Sequence, residues 1–326
     1  MRRRNVIAGA ASALAVAPQT AHAQSAALPV IGFLISSTEE QTRPNVAGFR
    51  RGLKETGFVE GDNVVMDFRR AEGEYQRLSA MAAELVRRPV SLIAAQAPPA
   101  ALAAKAATST IPIVFVVGID PIEAGLVSSL GRPGGNATGM TLMSTALAQK
   151  RLDMLRELSP QAKVIAMLVN PVSPDAGLEV MLVRAAAQSL AIQLETVEVR
   201  DMDGMSDAFA AIAARRPDAL LVGTDSFLQS RRRDVCARAL ALKVPAIYPF
   251  RNYAEAGGLI SYGTNIPNAY RQAGIYAGRI LKGERPENLP VIEPISFEMV
   301  INLKAARALG LDIPVSTHVR ADEVIE

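Results

Sequence analysis

Pro29-Val30-Ile31-Gly32-Phe33-Leu34-Ile35-Ser36-Ser37-Thr38 is the stretch whose reading decides the fold. Val30 to Ile35 is apolar without alternation, as a strand covered on both faces must be. Three hydroxyl residues follow, and from about Thr42 the period changes. Val46, Phe49 and Leu53 recur at three- and four-residue spacing, the mark of an amphipathic helix, with Gly57 as its stop. A doubly covered strand leading directly into a helix is the repeating unit of a parallel α/β sheet.

The same alternation continues outward. Strands are expected at Val64–Phe68, Ser91–Ala95, Ile113–Val117 and Ala137–Leu142. Helices Tyr75–Val86 and Ala100–Ala107 separate them, and a short helix is expected near Leu126–Leu130. The pattern then restarts: strands Val164–Val169, Gln193–Val199, Ala219–Val222, Ala246–Tyr248 and Leu259–Tyr262 alternate with helices Thr145–Leu158, Ala176–Leu190, Ser206–Arg215 and Gln229–Leu242. Single helices between strands imply right-handed crossovers. The fold class is therefore α/β, with two doubly wound parallel-sheet lobes.

The tail holds one more long helix, Ala269–Lys282, a Pro-studded stretch, strand Ile295–Ile301 and helix Leu303–Leu309. It implies that the chain changes lobe three times, the first change marked by the Gly131–Asn136 turn. Residues 29–139 plus 265–292 then form lobe 1, and 140–264 plus 293–326 form lobe 2, joined by a three-segment hinge that favours opening and closing.

Composition narrows the chemistry. The 326 residues are 49% hydrophobic and 21% charged, which excludes wholesale disorder. The formal charge of +3 comes entirely from Arg2, Arg3 and Arg4, so the remainder is balanced and gives no argument for nucleic acid. His22 and His318 are the only histidines and Cys236 the only cysteine. A histidine-based catalytic pair, a multi-histidine zinc site and an internal disulfide thus lack their residues. Cys236 reads as a buried structural thiol. No cofactor is expected: Gly131–Gly139 lacks the dinucleotide spacing, and no phosphate-loop motif is present.

The N-terminus reads as an export signal. Arg2–Arg4 form a basic start, Val6–Val16 a short apolar run, and Ala21-His22-Ala23 a cleavage signal, placing the cut near Ala23-Gln24. The apolar run falls short of the roughly 20 residues of a membrane span. A periplasmic protein is expected.

Several stretches resemble one family. They include Ile31-Gly32-Phe33-Leu34, Ala103-Ala104-Lys105-Ala106-Ala107-Thr108 and Ile111-Pro112-Ile113-Val114-Phe115. Further on come Arg132-Pro133-Gly134-Gly135-Asn136, Val169-Asn170-Pro171, Tyr270-Arg271-Gln272-Ala273-Gly274 and Arg320-Ala321-Asp322-Glu323-Val324-Ile325. In this order the chain resembles the ABC-transporter substrate-binding proteins of the type I periplasmic-binding fold, in the branch with tryptophan-binding members. The resemblance implies a small organic solute delivered to a membrane permease, by a protein expected to act as a monomer. One loop departs: where the family suggests Gly-Thr-Pro, this chain has Gln96-Ala97-Pro98-Pro99. It lacks the hydroxyl, and its prolines donate no amide.

Ligands of doubly wound sheets sit beyond the carboxyl ends of the strands. On that rule the candidate contacts are Ser36, Ser37, Gln96 and Asp120 in the first lobe. In the second they are Asn170, Thr224, Asp225, Tyr248, Phe250 and Tyr262. Hydroxyls suit a carboxylate, Asp225 or Asp120 an ammonium, Asn170 either, and the three aromatics a flat or apolar side chain. An amino acid or related small carboxylate, aromatic or branched, is the expected solute. Arg231-Arg232-Arg233 and the Glu39-Glu40 pair read as solvated. Two other classes remain: a sensor that reports ligand to a signalling partner, and an exported enzyme, which would need a nucleophile–base pair that the composition barely supplies.

Overall fold

In the computed structural model, residues 28–294 and 296–326 are described. The expected leader and its cleavage point lie outside the described residues. The first series of elements is β1 (Val30–Ile35), α1 (Glu39–Glu55), β2 (Val65–Arg70), α2 (Leu78–Arg87), β3 (Leu92–Gln96), α3 (Ala97–Ala107), β4 (Ile113–Val117) and β5 (Ala137–Thr141). Its sheet is wholly parallel, in the order β2-β1-β3-β4-β5.

The second series runs α4 (Leu147–Leu158), β6 (Val164–Val169), α5 (Ala176–Ser189), β7 (Gln193–Glu198), α6 (Met202–Arg215), β8 (Ala219–Val222), α7 (Ser226–Ser230), α8 (Arg232–Ala241), β9 (Ala246–Tyr248), α9 (Arg251–Glu255) and β10 (Ile260–Thr264). It is followed by α10 (Ile266–Leu281), β11 (Phe297–Asn302), α11 (Leu303–Leu309), α12 (Val315–Arg320) and β12 (Glu323–Ile325). Strands β7-β6-β8-β9-β10 repeat the order of the first sheet, again in parallel. Beyond them β11 runs antiparallel to β10, with β12 parallel to β11 at the edge. The second sheet is thus parallel with an antiparallel margin, which the expected parallel pattern did not include.

The unbroken apolar runs are explained by burial on both sides. Ile31, Phe33 and Ile35 join α1 and α10 in one core, while Leu34 points to the α2–α3 side. In the second sheet Ile165, Met167 and Val169 face one layer, and Ala166 and Leu168 the other. Each sheet therefore lies between two helical layers.

Other differences have local causes. The helix expected near Leu126–Leu130 is absent; Asp120 instead ties its carboxylate to the amides of Ile122 and Glu123 in a turn. Helix Gln229–Leu242 is broken at Arg231 into α7 and α8. α9, α12 and β12 are too short for periodicity to reveal. Ile295, the expected start of a strand, lies outside the described residues, and β11 begins at Phe297.

The chain passes from the first sheet to the second after β5, returns through α10, and leaves again to β11. The Gly131–Asn136 turn leads into β5, so the first crossing comes later, at residues 142–146. α10 is fastened to the first lobe by backbone-to-backbone contact with α1. A Cβ at Gly52 would fall on the carbonyl oxygen of Arg271, and one at Gly274 on that of Phe49. Gly52→Ala should therefore force the helices apart and cost roughly 2 kcal/mol, as overpacking does. Urea unfolding is the measurement; a midpoint equal to that of the unmutated protein would show that the helices yield freely.

Candidate functional site

The two sheets share one order, so each has its reversal point between its first and third local strands: β1/β3 in one lobe, β6/β8 in the other. Crossovers leave these neighbours in opposite directions and open a crevice beyond their carboxyl ends. The crevices face each other across a narrow cavity lined by residues of both lobes.

The first lobe contributes Gln96 to this cavity, at the end of β3. Its side-chain carbonyl accepts from the Ser36 amide (2.9 Å) and the Ser37 hydroxyl (3.3 Å), and its main-chain carbonyl accepts from the Ser36 hydroxyl (3.0 Å). The Ser36 N–H can only donate, so the atom it meets must be the Gln96 carbonyl oxygen, and the Gln96 NH₂ is left as a donor on the other side. Ser36 and Ser37 consequently stand behind Gln96, away from the cavity. Thr38 caps α1 in a reciprocal box with Gln41. Ala97 adopts a left-handed φ of 69° beside the cavity, a strained conformation at the departing family loop.

The second lobe contributes the charge. Thr224 and Asp225 follow β8 and line the cavity, as do Ser173 and Asp175 in the loop after β6. Asp225 is buried and accepts from the Leu228 amide (2.7 Å) and the Tyr75 hydroxyl, with Asn170 and the Phe227 amide close by to favour its charge. Burial raises its pKa and these donors oppose the rise. Asn170 thus supports Asp225, and its own Oδ1 accepts from Val172 (3.1 Å).

Asp175 stands differently. It occupies the position before α5 but makes no cap bond to the helix. Its carboxylate accepts from the Ser173 hydroxyl and pairs with no cation among the described residues. Burial, reinforced by the charges of Glu179 and Asp225 against the Ser173 bond, pushes its pKa up to about 7.

Behind the cavity floor lies a fully buried ion pair. Arg151 Nη2 reaches Glu179 Oε1 (2.8 Å), the Ser144 carbonyl (3.0 Å) and Thr224 Oγ1 (3.1 Å). Glu179 in turn accepts from the Thr224 amide (2.8 Å) and hydroxyl (3.0 Å). Burial draws both partners away from their charged forms, and their pairing opposes it. The pair ties the crossing segment at Ser144 to the β8 loop at Thr224.

The cavity's apolar wall is Val116, Leu142, Phe250, Ile266 and Tyr270. Of the expected aromatics only Phe250 is there. Tyr248 ends β9 in the same core as Phe250 but away from the cavity, stacked on Tyr253 (5.0 Å between centroids), and Tyr262 lies against Phe297 (6.1 Å). Asp120 is exposed in its turn. Gln96, Thr224, Asp225 and Phe250 are therefore brought together; Ser36, Ser37 and Asn170 stand one layer behind; Asp120, Tyr248 and Tyr262 lie elsewhere. Asp175, Ser144, Tyr75 and Tyr270 went unread in the sequence. Among the described residues, no group of three metal-binding side chains occurs and no helix is long and apolar enough to cross a membrane.

Residues 33–325 match the family model described as ABC transporter substrate binding protein. The chain belongs to this family. A curated relative, the tyrosine-binding protein of Clostridioides difficile (strain R20291), is 28% identical over 264 residues, covering 81% of this chain and 76% of the relative. A solved structure from Streptococcus pneumoniae, an ABC domain in complex with L-Trp, is 28% identical. It superposes with a TM-score of 0.81 over 90% of this chain and 100% of that one. The ligand-free, open structure of a substrate binding protein with adhesive properties from Clostridium difficile is 25% identical. There the TM-score is 0.65, over 91% of this chain and 99% of that one. As an ABC transporter substrate binding protein, this chain is a solute receptor. Its relatives are binding proteins.

Proposed function

We propose that this receptor closes over an amino acid with an aromatic or branched side chain, holding the ammonium at Asp175 and the side chain against Phe250, Ile266 and Tyr270. Asp175 carries the reading: a buried carboxylate without a cation is costly, and a ligand ammonium supplies what is missing. Asp225, the expected ammonium partner, has its acceptors occupied within the protein. The Gln96 NH₂ and the Ser144 hydroxyl, which has no partner among the described residues, are the donors suited to the ligand carboxylate. The names of the tyrosine- and L-Trp-binding relatives support the same class.

The arrangement described is the closed one. Bonds run between the lobes at Tyr75 and Asp225, and the superposition favours the L-Trp complex over the open structure at similar identity. In this reading lobe 1 spans 29–141 plus 265–292 and lobe 2 the rest, the division shifted because β5 stays paired to Thr141. The monomer is exported to the periplasm, its leader cut near Ala23-Gln24, and presents the closed complex to an ABC permease.

The test is a binding panel of amino acids beside their N-acetyl and keto-acid counterparts, followed by calorimetry over pH. Aromatic or branched amino acids should bind and the counterparts without an ammonium should not. Ammonium binding needs Asp175 ionised, so affinity should fall about tenfold between pH 8 and pH 6. Equal binding of the N-acetyl forms, or affinity that rises toward pH 6, would overturn the assignment.

A further inference from the structure

Two carboxylates, Asp175 and Asp225, line one cavity, and a solute with one ammonium neutralises only one of them. Asp225 therefore needs neutral donors once the cleft shuts out water. One bonded donor, the Leu228 amide, belongs to its own lobe and stays with it at any opening, as do the neighbouring Asn170 and Phe227 amide that favour its charge. The other bonded donor is Tyr75, on a short 3₁₀ turn of the other lobe.

The Tyr75 hydroxyl is used in both senses. It donates to Asp225 Oδ2 and accepts from the Phe227 amide (3.1 Å), so it is fixed by two bonds to one loop of the opposite lobe. Burial, and then the Asp225 charge, hold the phenol well above its ordinary pKa, so it keeps the proton it donates. The neighbouring loop lies alongside as well: a Cβ added at Gly73, in a left-handed turn (φ 92°), would stand 3.7 Å from the Phe227 ring. At the rim, Glu40 of α1 pairs with Arg233 (3.0 Å) and Arg232 (3.4 Å) of α8, so these residues are not simply solvated. That exposed pair adds little. The Tyr75 contact is different, because its acceptor is buried.

We propose that Tyr75 is a positioning residue that couples closure to the loaded site, its hydroxyl meeting Asp225 and the Phe227 amide only when the lobes come together. In the open molecule water serves Asp225 Oδ2; in the closed one Tyr75 replaces it. A neutral donor leaves the negative field of Asp175 for the ammonium, which a lysine or arginine here would cancel. The inference rests on the amino-acid reading of the cleft.

The test is a double-variant cycle of Tyr75→Phe and Asp225→Asn. L-tyrosine and L-tryptophan are the probes, read by calorimetry, with small-angle scattering of each protein alone and with probe. Tyr75→Phe should bind about 10- to 100-fold more weakly, the size of a lost bond to a buried charge. Added to Asp225→Asn, it should weaken binding less than threefold further, because the charge that needed the donor is gone. Wild-type binding with Tyr75→Phe affinity within threefold of it, or fully multiplicative losses in the double variant, would overturn the proposal. Should the wild type bind neither probe, the amino-acid reading is what fails. The scattering then decides for Tyr75: a larger radius of gyration for Tyr75→Phe supports the clasp, and an unchanged one refutes it.

Discussion

Asp175→Asn is expected to abolish stabilisation by amino acids and, at pH 8, to raise the melting temperature of the ligand-free protein. The two effects have one cause. An unperturbed Asp titrates near 3.8, whereas burial holds Asp175 at about 7 in the fold. Between these values the folded protein keeps a proton that the unfolded chain has released, so stability falls as pH rises through the window. Above pH 7 the penalty is complete, at most roughly 4 kcal/mol. Asparagine has nearly the same shape and can still accept from Ser173, but carries no charge to desolvate. The ligand-free variant should gain about 5 °C or more at pH 8, and the gain should shrink steadily toward pH 4. Calorimetric affinity should fall at least about 100-fold, since the ammonium then meets a neutral amide. A lower melting temperature at pH 8, or an intact response to the panel, would remove Asp175 from the role. A site that costs stability until its ligand arrives is the ordinary bargain between function and folding.

Such a residue is hard to find in a sequence because its local context hides it. Asp175 precedes the apolar run Ala176–Leu190, where an Asp reads as a helix cap, and only the structure shows that its carboxylate makes no cap bond. The rule that ligands gather at strand ends located Gln96, Thr224, Asp225 and Phe250, because β3, β8 and β9 were legible as unbroken apolar runs. Ser36 and Ser37 stand behind the cavity instead, since an apolar strand cannot announce that a neighbouring strand ends in a Gln whose carbonyl will claim the Ser36 amide and the Ser37 hydroxyl. Tyr248 and Tyr262 do not line the cavity, because a short strand end does not say what each ring packs against. Tyr75 and the Arg151–Glu179 pair depend on residues 150 and 28 positions apart, and pairing at such distance leaves no periodic trace. The antiparallel β11–β10 pair was hidden for the same reason: direction is set by where the returning chain enters, not by composition.

Arg151→Met should be the most destabilising single change in the second lobe. The guanidinium is wholly buried, and its removal leaves Glu179, also buried, as an uncompensated charge. Breaking such a pair costs roughly 3–5 kcal/mol, which lowers the melting temperature by about 6–15 °C for a lobe of this size. Arg151 Nε and Nη1 have no partner among the described residues, so the pair is imperfectly satisfied as it stands. It follows that Arg151→Met combined with Glu179→Leu should recover part of the loss, because the uncompensated charge is gone while the Thr224 amide and hydroxyl lose their acceptor. Binding should not recover with it. Glu179 holds the Thr224 amide and hydroxyl, and Arg151 holds the Ser144 carbonyl, so without the pair the crossing segment and the β8 loop lose their common anchor. The double variant should have a urea midpoint between those of the single variant and the wild type, yet bind the best amino acid of the panel at least about tenfold more weakly than wild type. If the single variant unfolds within about 1 kcal/mol of wild type, the charges are not buried as described. If the double variant regains affinity along with stability, the pair serves the fold alone, and Thr224 and Ser144 keep their places without it.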